Sequence, residues 1–271
     1  MLIPVLYGMG WIKAKCLTLI GLPTTSVSIV GTAFSFLLFV VVMPRWILVR
    51  WQVKHPWRAL GLSGGGREGR TPFSIALVRG LAWALLLLSL IVGPILLGSW
   101  GYWLGDWSIL RSLNALLLAL AVGLAEELIF RGWLWEELNR LLGTNAGILI
   151  QAAIFSLIHT RFNLGAGPML SLLCGLFLLG LILAVRRNLD RGSLWGCIGL
   201  HGGLVGGWFL LEKGLLQLSP DVPAWIAGPG GLNPNPLGSG IAITALLVLL
   251  WIQRTAFAKA ARPDNGARNA C

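Results

Sequence analysis

Charge is what this sequence has least of. Only 11% of its 271 residues are Asp, Glu, Lys or Arg, while 56% are hydrophobic; soluble globular proteins carry about 25% charged residues. That deficit excludes a water-soluble enzyme, a nucleic-acid-binding domain and a disordered chain, and leaves a polytopic membrane protein. Acidic residues are scarcer still, ten against 21 Lys and Arg, for a formal net charge of +11. On a soluble chain such an excess would suggest nucleic acid; on a membrane chain it reports topology. Cysteine is sparse as well. Cys16, Cys174, Cys197 and Cys271 form no CxxC pair and no metal-ligand spacing, which excludes a small disulfide-stapled fold. Cys174 and Cys197 lie in apolar runs and read as small core hydrophobes, and Cys271 is too near the end for a prenylation box. Tyr numbers two against 14 Trp, a balance that suits two membrane–water interfaces, where indole rings collect. No N-terminal signal peptide is expected, because Lys13 and Lys15 interrupt the first apolar stretch.

What is present is a series of long apolar runs. A spanning helix needs about 20 mainly apolar residues, and runs of that kind lie near 26–48, 73–98, 112–130, 145–161, 168–185, 194–211 and 239–253. The expectation is an all-α transmembrane bundle of about seven spans, with residues 1–22 as an eighth span or an interfacial segment. Basic residues set the orientation. One set of alternate segments holds only Lys13, Lys15, Arg111, Arg161 and Lys213, and the other 16 of the 21 fall on the opposite side. The positive-inside rule puts that richer side, and the C-terminal tail, in the cytoplasm.

The chain divides into N-terminal spans with a basic loop (1–109), a core (110–211), and an outer loop with the last span and tail (212–271). The glycine-rich stretch 61–70 lacks the Gly-Lys-Ser/Thr ending of a phosphate loop and reads as a flexible basic linker near headgroups. The segment 219–239, rich in Pro, Gly and Asn, is expected to be an irregular cap.

Four of the ten acidic residues fall within 126–137. Glu126 and Glu127 stand out because apolar sequence runs right up to them, and ionisable groups at membrane depth mark functional sites by default. Glu127 and Arg131, spaced i, i+4, can pair on one helix face, whereas Glu126 points about 100° away. A plain buried salt bridge with a spare Glu is the bland alternative. Glu136, Glu137 and Arg140 repeat the pattern nearer the surface and read as a solvated helix face. Of the three histidines, His55 lies in the basic loop with no evident task. The other two lie in apolar helices. If the third and fourth spans form a hairpin turning at Gly143, Glu126 is 17 residues before the turn and His159 is 16 after it. At ~1.5 Å per residue the two share a depth. Phe155, one turn before His159, can wall the same pocket. His201 enters its own span to a similar depth. Parity places 160–167 outside, while hairpin counting keeps His159 in the cytoplasmic half. Both hold if the fourth helix ends early and the stretch 163–168 dips inward, which is tolerated where backbone lines a wet cavity.

Glu126-Glu127-x-x-x-Arg131, then Phe155-x-x-x-His159, then His201 in a glycine-rich helix, resembles the CAAX protease and bacteriocin-processing (CPBP, or Abi) family of intramembrane proteases. The resemblance covers roughly 110–210. It implies a helical membrane fold with a cavity open to the cytosol and lipid, and a glutamate-activated water as nucleophile. Carried onto this chain, Glu126 is the general base, His159 and His201 position the water or stabilise the oxyanion, and Glu127 and Arg131 brace the motif. It implies no cofactor, although two His and a Glu are also a possible zinc set. The implied partners are the bilayer and a membrane-associated or lipidated peptide, without nucleic acid, in a prokaryotic plasma or internal membrane. One position departs from the pattern: where the family often has Asn or Asp four residues after the last His, this chain has Val205. A non-catalytic scaffold or immunity protein of the same fold is therefore the alternative, and a transporter a third reading without paired discontinuous spans to support it.

Overall fold

The structure is a computed structural model that describes residues 2–63, 71–231 and 233–253. The linker residues 64–70 and the tail from Arg254, both assigned above from sequence, lie outside the described residues. Two compact units divide the chain, Met1–Leu60 and Gly61–Cys271.

In the first unit, α1 (Leu2–Thr18) and α2 (Val27–Arg50) form a helical hairpin, followed by the single turn α3 (Pro56–Ala59). The inward row of α2 is Val27, Gly31, Ser35, Phe39, Met43 and Ile47, each four residues from the next. Small residues let the two backbones approach closely. A Cβ added to Gly10 would meet the Gly31 carbonyl oxygen at 2.7 Å. Ser35 Oγ donates back to that same carbonyl at 2.7 Å, so the hydroxyl is satisfied within its own helix.

The second unit carries the rest: α4 (Phe73–Leu97), β1 (Gly101–Trp103), α5 (Ile109–Glu127), a π-helical segment (Leu128–Leu134), α6 (Trp135–Leu142), α7 (Thr144–Leu157) and α8 (Ala166–Leu189). Then follow α9 (Trp195–Leu210) with a π turn (Leu211–Leu215), β2 (Leu216–Leu218), α10 (Ala224–Ala227) and α11 (Gly240–Ile252). This is the all-α polytopic bundle expected. All seven predicted runs are helices, but among the described residues four stretches are long and apolar enough to cross a membrane: Thr24–Arg50, Phe73–Leu97, Ile109–Leu142 and Ala166–Leu189. At 14 and 13 residues, α7 and α11 reach only about 20 Å, short of a hydrocarbon core of about 30 Å. The apolar run that predicts a span to residue 161 breaks at Leu157; the irregular stretch is 158–165, and Pro168 already lies in α8.

α9 is the axis of this unit, packed by α4 on one side and α5 on the other. Its glycines allow this. A Cβ at Gly199 would come within 2.5 Å of the Leu77 carbonyl oxygen on α4, and one at Gly206 within 2.5 Å of the Ala115 carbonyl oxygen on α5. Backbones in near contact of this kind are the small-residue mode of membrane helix packing. The hydrophobic core joins Ala84, Leu87 and Ile91 of α4 to Leu176, Leu179 and Leu183 of α8 and Leu246 of α11. Large apolar residues also cover the outside, among them Leu85, Leu117, Leu170 and Trp251.

Loop parity is reproduced inside this unit. β1 and β2, which follow α4 and α9, pair antiparallel with Gly101 opposite Leu218. At the other end Arg79 reaches Asp190 at 3.5 Å, Leu194 N–H donates to the Gly61 carbonyl, and Trp195 Nε1 donates to the Leu62 carbonyl at 3.0 Å. Arg186 holds Asp190 bidentately at 2.9 and 2.7 Å. Burial pushes the Asp190 carboxyl upward, and the hydrogen bond and charge of Arg186 pull it back down.

Four expectations need correction. Arg131, Arg186 and Arg187, counted among the topological charges, are buried and engaged by acceptors inside the bundle rather than solvated. Glu137 is buried rather than solvated, and only Glu136 and Arg140 make the exposed pair. Cys197 is in the core, but Cys174 is exposed, because its position on α8 falls on the outer face. The segment 219–239 is an irregular cap in part only: α10 and a short helical turn at Pro236–Gly238 order it, with Ile226 and Ala227 buried.

Candidate active site

The helix that carries the acidic motif runs unbroken from Ile109 to Leu142, and its geometry changes at the motif. Trp135 N–H donates to the Phe130 carbonyl, five residues back, in place of the Arg131 carbonyl four back. π-helical insertions of this kind occur frequently at functional sites. The chain then reverses at Gly143, whose φ of +83° suits glycine, and α7 returns beside α6. Gly147 accommodates Asn139 across this hairpin; a Cβ there would lie 3.0 Å from the Asn139 nitrogen. That reversal brings His159 back to the level of Glu126, the match that counting from Gly143 predicts.

Every candidate residue meets in one cluster. His159 Nε2 lies 3.7 Å from Glu126 Oε2, and His201 Nε2 lies 3.9 Å from the same oxygen. Both separations exceed a direct hydrogen bond, and polar contacts at such lengths suit a shared small polar molecule. Glu126 Oε2 is buried and makes no hydrogen bond among the described residues. Glu127 is wholly buried, and its Oε1 accepts from Arg131 Nη1 at 2.8 Å and from His201 Nδ1 at 2.8 Å. Glu127 thus has one oxygen held by two donors while its Oε2 has no hydrogen bond among the described residues, and no donor holds Glu126 Oε2. His159 Nδ1 lies 2.7 Å from the Phe155 carbonyl, which can only accept, so that nitrogen carries the proton. In both histidines Nδ1 is occupied and Nε2 faces Glu126.

Aromatic rings hold the imidazoles. Phe155 is fully buried, with its ring 4.9 Å from His159 and edge-on to His201 at 5.6 Å. Arg131 Cζ stands 4.1 Å from the Phe155 centroid, a cation–π contact that occupies the guanidinium's remaining face. Phe130 closes the other side of Phe155 at 5.3 Å. Exposure is graded across the cluster: the side chains of Glu126 and His159 are 27% and 31% exposed, whereas that of His201 is 6%. Access is therefore from the Glu126–His159 side. Val205, one turn beyond His201 on α9, is half-buried.

Two features escape the sequence. The Glu127–His201 bond joins residues that motif spacing keeps apart, 74 positions distant. Arg187 of α8 donates to the Arg131 carbonyl inside the π-helical segment, and its guanidinium stands 5.0 Å from the Trp135 ring. Its only signal in the sequence is a basic pair ending an apolar run, which spells topology. Among the described residues, no group of three or more His, Cys, Asp or Glu side chains is arranged to hold a metal ion.

Residues 1–55 match a family described as Domain of unknown function (DUF8676), close to the first compact unit. No curated protein and no solved structure gives a match. Residues 107–206 match the family model of the type II CAAX prenyl endopeptidase Rce1-like proteins, a stretch that opens just before α5, closes in α9 and contains all of Glu126, Glu127, Arg131, Phe155, His159 and His201. The second unit of this membrane protein therefore carries an Rce1-like domain of the CAAX protease and bacteriocin-processing family.

Proposed function

We propose that the protein is an intramembrane endopeptidase that hydrolyses a peptide bond of a membrane-associated or lipidated peptide, CaaX-type or other, with water activated by Glu126. The observation that carries this reading is the asymmetry of the two carboxylates. Glu127 is anchored through Oε1 by Arg131 and His201, while Glu126 Oε2 faces two imidazole nitrogens and is hydrogen-bonded to neither. In the reaction Glu126 takes a proton from water as the oxygen adds to the scissile carbonyl carbon. The oxyanion is met by Nε2–H of His159 or His201 in the protonated imidazole. Glu126 then returns its proton to the leaving amine as the C–N bond breaks. General base catalysis of this kind contributes about 10²–10⁴-fold, and a placed oxyanion donor about 10²–10³-fold.

The site lies six residues into α9 from Trp195, about 10 Å from the end that carries Arg79 and Asp190. The excess of basic residues at that end supports a cytoplasmic active site and a cytoplasmic C-terminus in a cellular membrane. A reporter fused to the C-terminus tests the orientation. Incubating purified protein with a library of prenylated and hydrophobic peptides tests the chemistry: wild type is expected to cleave, and Glu126→Gln to cleave about 10²–10⁴-fold more slowly. Identical product profiles would sink the proposal. Activity that survives a chelator supports metal-free chemistry; loss with a chelator and recovery with zinc would transfer the role of Glu126 and the two histidines to metal ligation. Val205 favours a second reading, a scaffold or immunity protein that keeps the cavity without turnover, and a cellular function retained by Glu126→Gln would establish it.

A further inference from the structure

The π-helical segment Leu128–Leu134 is the joint between two packing surfaces. On its N-terminal side Gly123 faces α9, where a Cβ would lie 3.0 Å from the Ile198 carbonyl oxygen; on its C-terminal side Asn139 packs on Gly147 of α7. A π turn holds one residue more than an α turn, so relaxation to α geometry would rotate one flank by about 100° relative to the other. Glu126 and Glu127 sit at the very start of this joint, and their directions depend on its being kept. The cost of the joint is a displaced acceptor: Trp135 N–H, the α-helical partner of the Arg131 carbonyl, donates to Phe130 instead.

We infer that Arg187 is a positioning residue that maintains this π-helical joint, and through it the direction of Glu127 and the Glu127–His201 hydrogen bond. Three observations converge. Arg187 is buried at the C-terminal end of α8. Its Nη1 donates to the carbonyl of Arg131, the one displaced from α-helical pairing. Its guanidinium lies against Trp135, the residue whose N–H made the exchange. One side chain from a neighbouring helix thus contacts both residues that the α-helical hydrogen bond would have joined. The connection to chemistry runs from the Arg131 carbonyl to its own side chain, from there to Glu127 Oε1, and from Glu127 to His201 Nδ1. A buried guanidinium left without such acceptors is strongly unfavourable, so the joint and Arg187 stabilise each other. This assignment rests on the proposed proteolysis for its effect on rate, but the geometric part does not.

The test compares wild type, Arg187→Met and Arg187→Lys as the full chain purified in detergent, with thermal midpoints measured alongside. The first readout is kcat and KM on a prenylated peptide that wild type cleaves. The second is independent of turnover: the low-field Nδ1–H proton resonance of His201 in protein labelled with ¹⁵N-histidine, identified by its loss in His201→Asn. For Arg187→Met the expected result is a kcat lower by about 10²-fold, the scale of a ~1 Å misplacement. KM is expected to stay within about twofold, as for a loss confined to the transition state. The resonance should shift or vanish, and Arg187→Lys, which keeps one donor, should fall between. An Arg187→Met protein that retains both kcat and the resonance overturns the inference. If Arg187→Met does not fold, Arg187→Lys decides by the same two readouts. If wild type cleaves no peptide, the proteolytic reading fails by itself, and the resonance alone settles Arg187.

Discussion

The helix from Ile109 to Leu142 carries nearly the same signature twice, and the two copies have opposite fates. At Glu126-Glu127 the second carboxylate pairs with Arg131 four residues on, and neither partner has any exposed side-chain surface. At Glu136-Glu137 the first carboxylate pairs with Arg140 at 3.0 Å, with side chains 30% and 41% exposed. The charges and spacing are alike, so the pair as such explains nothing. What differs is the surroundings. The first copy is enclosed by Phe155, His201 and the glycine face of α9, and in the second Glu136 and Arg140 lie on the exposed face of α6. An ion pair enclosed in this way costs several kcal/mol of desolvation per ion and persists only where further hydrogen bonds satisfy it. Here His201 and the Phe155 ring supply part of that satisfaction, and the histidine is fixed in return. A buried pair thus becomes a means of orienting a neighbour, which an exposed pair cannot do.

The largest expected effect breaks the first copy at Glu126, the member that no guanidinium holds. Glu126→Gln keeps the shape and hydrogen-bonding capacity of the side chain and removes the base, so peptide turnover is expected to fall by about 10²–10⁴-fold. The thermal midpoint should stay near that of wild type, because Glu126 holds no ion pair that the fold depends on. Product analysis by mass spectrometry, with the melt measured on the same sample, separates the two. Next in size is Glu127→Gln. It leaves the Arg131 guanidinium buried without its charged partner, an arrangement that costs about 3–5 kcal/mol, and it frees His201 to turn. Stability and turnover should fall together, which distinguishes it from Glu126→Gln. A Glu127→Gln protein as stable as wild type would mean that the buried pair does not brace the site.

Val205 sharpens the comparison from the other side. Asn at that position, one turn from His201, would add a donor on the face of α9 that carries the imidazole. A single oxyanion donor is worth about 10²–10³-fold where its geometry is ideal. Val205→Asn is expected to raise kcat by about tenfold, since the surroundings are not shaped for the amide. A variant with no gain, in a protein that does cleave peptides, would place the oxyanion at the histidines alone.

The sequence makes the helices legible because apolar runs are long and their punctuation is plain; Gly143, for example, marks both the hairpin and its depth, and Glu126 and His159 follow by counting residues. It hides whatever depends on helix phase across the π-helical segment. Spacing rules built on 3.6 residues per turn put Glu127 with Arg131 correctly, but they cannot show that Glu127 also turns toward His201. Arg187 is hidden for another reason, since a basic residue ending an apolar run looks the same whether it meets water or a buried carbonyl. Cys174 and Glu137 show the same ambiguity in reverse: an apolar run does not say which of its faces meets lipid, and an acidic pair does not say which member turns inward.

The smallest expected effect is the control that gives the comparison its meaning. Glu136→Gln removes the charge from the exposed copy, where solvent screens the pair and the side chains lose entropy in holding it. Pairs of this i, i+4 kind contribute about 0.3–0.5 kcal/mol, so the thermal midpoint in detergent should move by no more than a degree or two, with kcat unchanged. Raising the salt concentration should erase even that difference, because exposed charges are screened within a Debye length of about 10 Å at 0.1 M, and it should leave the deficit of Glu127→Gln intact. Equal losses from Glu136→Gln and Glu127→Gln would mean that burial does not separate the two copies. The orientation of His201 would then have to come from Phe155 and the α9 glycines, without the help of the carboxylate.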